Sequence, residues 1–147
     1  MKIILKIITP EKTVFEQDTY QVTLPVEGGE VTILPGHEPY IGAVKAGEIM
    51  IRREPSAPEE SFATSGGFVE FHENSMMFLA DTAERADEID IERAEAARKR
   101  AEDLKLERIQ MDDEEYARTA AALEKELARV KVARKHHNRR GLSLGAE

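Results

Sequence analysis

Cysteine is absent from this 147-residue sequence, which excludes disulfides and thiolate metal ligands outright. Long apolar runs are absent too. The opening "MKIILKII" is short, is broken by Lys6, and meets "TPEK" with no small-residue cleavage site, so it reads as a first strand and not as a signal peptide. No stretch approaches the length of a membrane span, so the chain is expected to be soluble or attached to a membrane only peripherally. Chemical motifs are equally scarce. There is no nucleophile elbow, no phosphate-cradling glycine loop ahead of a helix, and no HExxH zinc motif. Catalytic and metal-binding residues are therefore assigned to none.

What is present is charge. Hydrophobic residues make up 41% and charged residues 34%, a mix that fits a modest core joined to something elongated and solvated. The net charge of −8 is uneven: residues 1–82 carry −7 and residues 83–147 only −1. Within the latter, Arg129, Lys131, Arg134, Lys135, Arg139 and Arg140 face Glu147 alone, giving +5 over residues 128–147. An acidic body ends in a basic tip. Free nucleic acid is a poor partner for that body, whereas an acidic protein surface suits the tip.

The first 84 residues read as short strands at regular spacing, separated by Gly, Pro and Asn turns. "TYQVTLPVE" alternates Tyr20, Val22, Leu24 and Val26, the period of a half-buried strand. Pro25 within it favours an edge or a bulge. The pattern predicts an all-β sandwich or barrel with an independent core. "SGGF", Ser65–Phe68, lacks a following Lys and reads as a β-turn.

After Asp81 alanine takes over. Asp87 or Asp90 can cap a first helix, whose apolar stripe is Ala94, Ala97, Ala101 and Leu104. "IQMDD" interrupts it. Asp112 and Glu115 then open a second helix with the stripe Tyr116, Ala120, Leu123, Leu127 and Val130. The two predict an antiparallel hairpin over residues 85–137. Its alanine seam buries little area at about 25 cal/mol per Å2, so it is held weakly. Residues 138–147 read as a disordered tail.

Three places invite a functional reading. "GGEVTILPGHEP" combines Gly28, Gly29 and Gly36 with a stiffening Pro35. His37 there has only Glu38 as a neighbouring acid, so a packing or interface role outweighs catalysis. His136 and His137 lie about 100° apart on a helix and do not share a metal. In "EIDIERA", Asp90 falls in line with the apolar seam, with Arg93 and Arg100 along one edge. Such a set can hold phosphate oxygens, but on spacing alone a surface charge ladder is the better reading.

In order, "GGEVTILPGHEP", "SGGFVEF", "FLADTAERADEID" and "IERAEAARKRAE" closely resemble the epsilon subunit of F-type ATP synthases, the counterpart of mitochondrial delta. The resemblance runs from Ile3 to about Val132. It implies a sandwich of about ten strands in a flattened barrel, followed by a helical hairpin. It implies a non-catalytic rotor subunit of the central stalk, seated between the membrane ring of c subunits and the catalytic head. The partners implied are gamma, the c-ring and the alpha and beta subunits. The resemblance further implies no role as a homo-oligomer and membrane association only through the complex, on the cytoplasmic face of a bacterial plasma membrane. Lack of a transit peptide favours that bacterial setting, although a processed organellar chain would look similar. By motif position, Glu30, Ile33, Leu34, Pro35, Gly36 and His37 fall on the surface facing the ring and gamma. The hairpin is expected either to fold on the sandwich or to extend into the head as a brake on hydrolysis. In the extended form, Arg129, Lys131, Arg134 and Lys135 meet an acidic segment of beta.

The resemblance implies no required cofactor, with ATP as an optional regulatory ligand. Some bacterial members bind it through an I-D-x-x-R-A box, which Ile89, Asp90, Arg93 and Ala94 match, with Glu84 and Arg100 as compatible additions. The second helix departs, offering Lys125 and Arg129 where those members have two arginines. On an ideal helix both point away from the apolar seam. Lysine cannot reproduce a planar bidentate fork, so weak or absent ATP binding is expected. Without the resemblance, the residues also fit a β-domain with a hairpin adaptor tail binding an acidic protein or nucleic acid.

Overall fold

A computed structural model describes residues 1–107 and 111–144, the side chains of 143 and 144 excepted. Eight strands come first: β1 (Ile3–Ile8), β2 (Thr13–Thr19), β3 (Gln21–Val26), β4 (Gly29–Ile33), β5 (Tyr40–Val44), β6 (Gly47–Arg52), β7 (Glu60–His72) and β8 (Ser75–Arg85). A single 3-10 turn, Ala86–Glu88, leads to α1 (Ile91–Leu106) and α2 (Asp113–Leu144). The strand order is β2-β1-β8-β7-β6-β3-β4, with β5 also paired to β7. The sheet folds over into a sandwich without closing, so the expected flattened barrel of about ten strands is corrected to an open sandwich of eight. The count falls because β7 and β8 are long, 13 and 11 residues, where the turn residues suggest short strands.

Ser65–Phe68 is the reason β7 can be long. It is not the expected turn but a bulge inside the strand, where the register with β8 shifts on either side of Gly66. The extra residue bends the strand. The first half of β7 then pairs with β6 (Ile51↔Glu60 to Gly47↔Thr64) and the second half with β5 (Val44↔Gly67 to Tyr40↔Phe71). Gly67 sits at φ 153°, and a Cβ there would lie 2.1 Å from the Leu79 carbonyl oxygen. Only glycine permits that approach.

Alternation dictates the core. Ile3, Leu5 and Ile7 of β1, Phe62, Val69 and Phe71 of β7, and Met76 and Phe78 of β8 are all buried and join one cluster made wholly of strand residues. Pro25 faces Glu30 of β4, while β6 pairs with β3 only over Gln21–Thr23. The proline therefore lies where β3 has lost its second neighbour, which costs no ladder hydrogen bond.

Both helix starts follow from local chemistry. Asp90 is the N-cap of α1, its side chain accepting from Arg93 N at 3.1 Å. Asp112 accepts from Glu115 N at 2.8 Å at the start of α2. Lys105 lies over the Tyr116 ring at one end of the pair, and Arg134 pairs with Glu95 at the other, so the helices are antiparallel. Two stripe residues are corrected: Leu104 is 48% and Leu127 43% exposed. The buried face of α2 keeps Leu123 and Val130 of the expected stripe and adds Ala128, Val132 and Ala133, because α2 must cover the sandwich as well as α1. Val130, Val132 and Ala133 form a second cluster with Ala63, Ala86, Ile89 and Ala94. The expected disordered tail is corrected as well, since α2 continues through residues 138–144. Residues 108–110, within the expected break between the helices, and residues 145–147 lie outside the described residues.

Candidate functional site

Where β8 hands over to α1, the chain gathers most of the residues singled out around Asp90. Glu84, Glu88, Asp90, Arg93, Arg100 and Arg129 line one cavity of about 510 Å3, floored in part by Ala96 and Ala97. The volume is within the roughly 300–1,000 Å3 of small-molecule sites. Ile89 and Ala94 do not reach it. They are 8% and 0% exposed in the helix–sandwich cluster, where they fix the angle at which α1 leaves the sheet.

Arg129 is the pivot. It donates from Nε and Nη2 to Glu84 at 2.8 and 3.2 Å, and from Nη1 to Glu126 at 2.8 Å. Burial lowers its pKa, but the two carboxylates outweigh this and raise it above the ordinary arginine value. The helical wheel puts Arg129 on the far side from the seam. That side is covered by the sandwich, so pointing away from α1 means pointing at Glu84. Lys125 follows the same logic but falls short: it lines an adjoining cavity of about 500 Å3 with Lys12 of the β1–β2 turn, sharing Glu84, Glu88 and Arg129 with the first. Arg93 and Arg100 make no ion pair within 4.0 Å among the described residues. The cavity thus presents two free guanidiniums and a third already engaged, a donor set suited to phosphate oxygens. Its acids, Glu84, Glu88 and Asp90, oppose a polyanion. Arg129 would have to give up its bonds to Glu84 and Glu126 to reach an anion in the cavity.

The basic tip meets an acidic surface within its own chain. Lys135 donates to Glu48 at 2.7 Å and Arg139 to Glu59 at 3.3 Å, both on or beside strands of the sandwich. Arg134 pairs with Glu95 of α1. Lys131 makes none of these pairs and lines a groove of about 630 Å3 between α2 and β5–β7.

Glu30, Leu34, Pro35 and Gly36 are exposed or half-buried around the β4–β5 loop. Ile33 is not available there, being fully buried opposite Val22. His37 packs edge-on against Tyr40 and Phe71 at 6.4 and 6.0 Å, its Nδ1 bonded to the Glu38 carbonyl at 2.7 Å. Sequence reasoning missed a row of apolar side chains on the outer face of the sheet. Phe68 (66% exposed) stands between Ala43 and Leu79 (52% exposed), with Ile41 (79% exposed) next along β5. The signal is there, since Phe68 and Leu79 each alternate with a buried neighbour, but alternation cannot distinguish an apolar outer face from a second core face.

Comparison with known proteins covers both halves of the chain. Residues 2–86 match the beta-sandwich domain of the ATP synthase delta/epsilon chain, and residues 87–134 match its long alpha-helix domain. An ATP synthase epsilon chain of Herpetosiphon aurantiacus is 41% identical over 140 residues, 95% of this chain and 99% of that one. One from Moorella thermoacetica is 44% identical over 129 residues, 88% and 94% of the two chains. Among solved structures, the Euglena gracilis mitochondrial ATP synthase (OSCP/F1/c-ring) contains a chain similar in fold. It has a TM-score of 0.74 at 21% identity, over 90% of this chain and 81% of that one.

Proposed function

The chain belongs to the ATP synthase delta/epsilon chain family, and on that premise we propose that it is the epsilon-type rotor subunit of a proton-translocating F-type ATP synthase. It is a non-catalytic subunit, so its work is done by contacts. We assign the β4–β5 loop and the apolar row of Ile41, Phe68 and Leu79 to the interface with gamma and the c-ring. No helix among the described residues is long and apolar enough to cross a membrane. The chain is proposed to sit peripherally on the cytoplasmic face, held there by the complex.

The observation that carries the regulatory part is how α2 lies on the sandwich. Small apolar side chains (Val130, Val132 and Ala133) make the contact, and ion pairs to Glu84, Glu48 and Glu59 tie it down. An interface of this kind separates two arrangements by only a few kcal/mol, which a competing partner can supply. Arg129, Arg134 and Lys135, already satisfied by acids of their own chain, are the cations proposed to meet an acidic segment of the beta subunits when the hairpin extends. The same charges then serve both states. Affinity-tagged chain should co-purify with gamma and the catalytic head. Recovery alone, or with an unrelated acidic protein or nucleic acid, would favour an adaptor instead.

The cavity beside Asp90 is proposed as a weak nucleotide site that favours the compact hairpin. Arg93 and Arg100 would receive the phosphates, and the tie between Arg129 and Glu84 would hold affinity down. Calorimetric titration of ATP into the full chain tests this. Weak saturable binding, lost on Asp90→Ala or Arg93→Ala, is the expected result. Tight binding would show that Glu84 releases Arg129 freely, and no binding would leave Asp90 as a helix cap.

A further inference from the structure

The last turns of α2 carry a cluster beyond residue 134, where the match to the helical domain of the family ends. His136, Arg139 and Arg140 lie against the loop between β6 and β7. With Arg52, Glu59 and Ser61 they line a cavity of about 380 Å3. Three guanidiniums converge there from two parts of the fold, and Glu59 is the one acid in the lining.

Glu59 cannot balance them. Its Oε1 already accepts from Arg52 Nη2 at 3.0 Å, and its Oε2 from Arg139 Nη2 at 3.3 Å. Burial raises its pKa, but Arg52, Arg139 and Lys135 together outweigh this and hold it below the ordinary carboxylate value. Arg140 has no carboxylate within 4.0 Å among the described residues. A second, separate sign of something owed is His136, whose Nε2 is buried without a hydrogen-bond partner among the described residues. A buried polar atom of this kind is destabilising unless a partner arrives. Water alone would satisfy the imidazole but not the two surplus positive charges.

We propose that this cluster binds a phosphate group, clasped between Arg52 of the sandwich and Arg139 and Arg140 of the hairpin. Guanidinium forks match phosphate oxygens in pairs, and three of them around one small cavity suit a dianion. The site exists only while α2 lies on the sandwich, because Arg52 belongs to one and Arg139 and Arg140 to the other. Occupancy therefore stabilises the compact arrangement by mass action. This lock is separate from the cavity beside Asp90 and shares no residue with it.

The phosphate can come from a small molecule or from a lipid headgroup at the membrane surface, and one experiment with two arms separates them. In the first, inorganic phosphate is titrated into the full-length chain at constant ionic strength, with chloride as the compensating ion, and NMR signals of Arg52, His136, Arg139 and Arg140 are followed. In the second, the chain is sedimented with phosphatidylglycerol vesicles and with phosphatidylcholine vesicles. Saturable shifts at these residues, weakened about tenfold or more by Arg140→Ala and partly kept by Arg140→Lys, are expected and assign a small phosphate. No response to phosphate, with phosphatidylglycerol-specific sedimentation lost in Arg140→Ala, supports the site with a headgroup as its ligand. Neither probe binding, or equal binding by Arg140→Ala, overturns the proposal. Arg140 is exposed and its removal leaves the fold intact, which an unchanged melting curve without ligand checks.

Discussion

At the scale of single residues, Arg129 decides more than any other side chain. It spans 45 positions to reach Glu84 while also holding Glu126 on its own helix, and Glu126 is only 9% exposed. Arg129→Ala leaves two carboxylates facing each other with no cation between them. The expected loss is about 1–3 kcal/mol, read as lower hydrogen-exchange protection in α2 with the strands unaffected. Arg129→Lys should recover part of it, since lysine restores the charge but not the fork. The caps are legible from local sequence, because Asp90 and Asp112 act on amides three residues away. The partner of Arg129 is not, because a helical wheel has no second surface on it.

Among the elements, α2 shows what amphipathic patterning can and cannot resolve. Its existence follows from the stripe, but its buried face does so only in part, at Leu123 and Val130. The stripe points Leu127 inward, yet Leu127 lies at the surface while Ala128 and Ala133 are buried. A helix that packs against two neighbours has two apolar arcs, and a single stripe drawn through it averages them. β7 is the counterpart among strands: two glycines that read as a turn are a bulge, since both conformations use positive φ and only the partner strands distinguish them. The docking of α2 and the β6–β7 loop should also respond to acid. The Arg53 hydrogen bond, opposed by burial, holds Glu60 below its ordinary pKa with help from Arg85. Burial raises and Arg52 lowers Glu59, with the lowering dominant. Depressed carboxylates stabilise the fold above their unfolded pKa and lose that contribution as pH falls through the folded value. Stability should therefore hold from neutrality down to about pH 4.3 and then fall steeply. Melting temperature against pH measures this, and Glu59→Gln should flatten part of the fall. Salt should loosen the same contacts near neutral pH.

For the molecule as a whole, the two apolar clusters divide the labour. The larger contains strand residues alone, so the sandwich does not need the hairpin to fold. A chain ending at residue 86 should melt cooperatively with its strand content intact. The hairpin by itself, with an alanine-rich seam and little else, should be largely unfolded. Circular dichroism of the two fragments checks both. In the assembled complex, the same truncation should leave gamma binding in place and raise ATP hydrolysis if the hairpin brakes it. Unchanged hydrolysis would confine the chain to coupling.

Periodicity, capping and charge count are properties of neighbouring residues, and they suffice for the order of the parts. An all-β domain, a junction capped by Asp87 or Asp90, a helical hairpin, an acidic body and a basic tip all follow from them. The pairing of charges does not. Folding in three dimensions pairs three of the tip's cations, Arg129, Lys135 and Arg139, with Glu84, Glu48 and Glu59 of the same chain. It places Arg93, Arg100 and Arg129 around one cavity with Lys125 in the next, and it carries the helix past residue 137 to bring Arg139 and Arg140 to Arg52. Charges are long-ranged and indifferent to sequence separation, so which opposite charge each one meets is settled by the packing of whole elements.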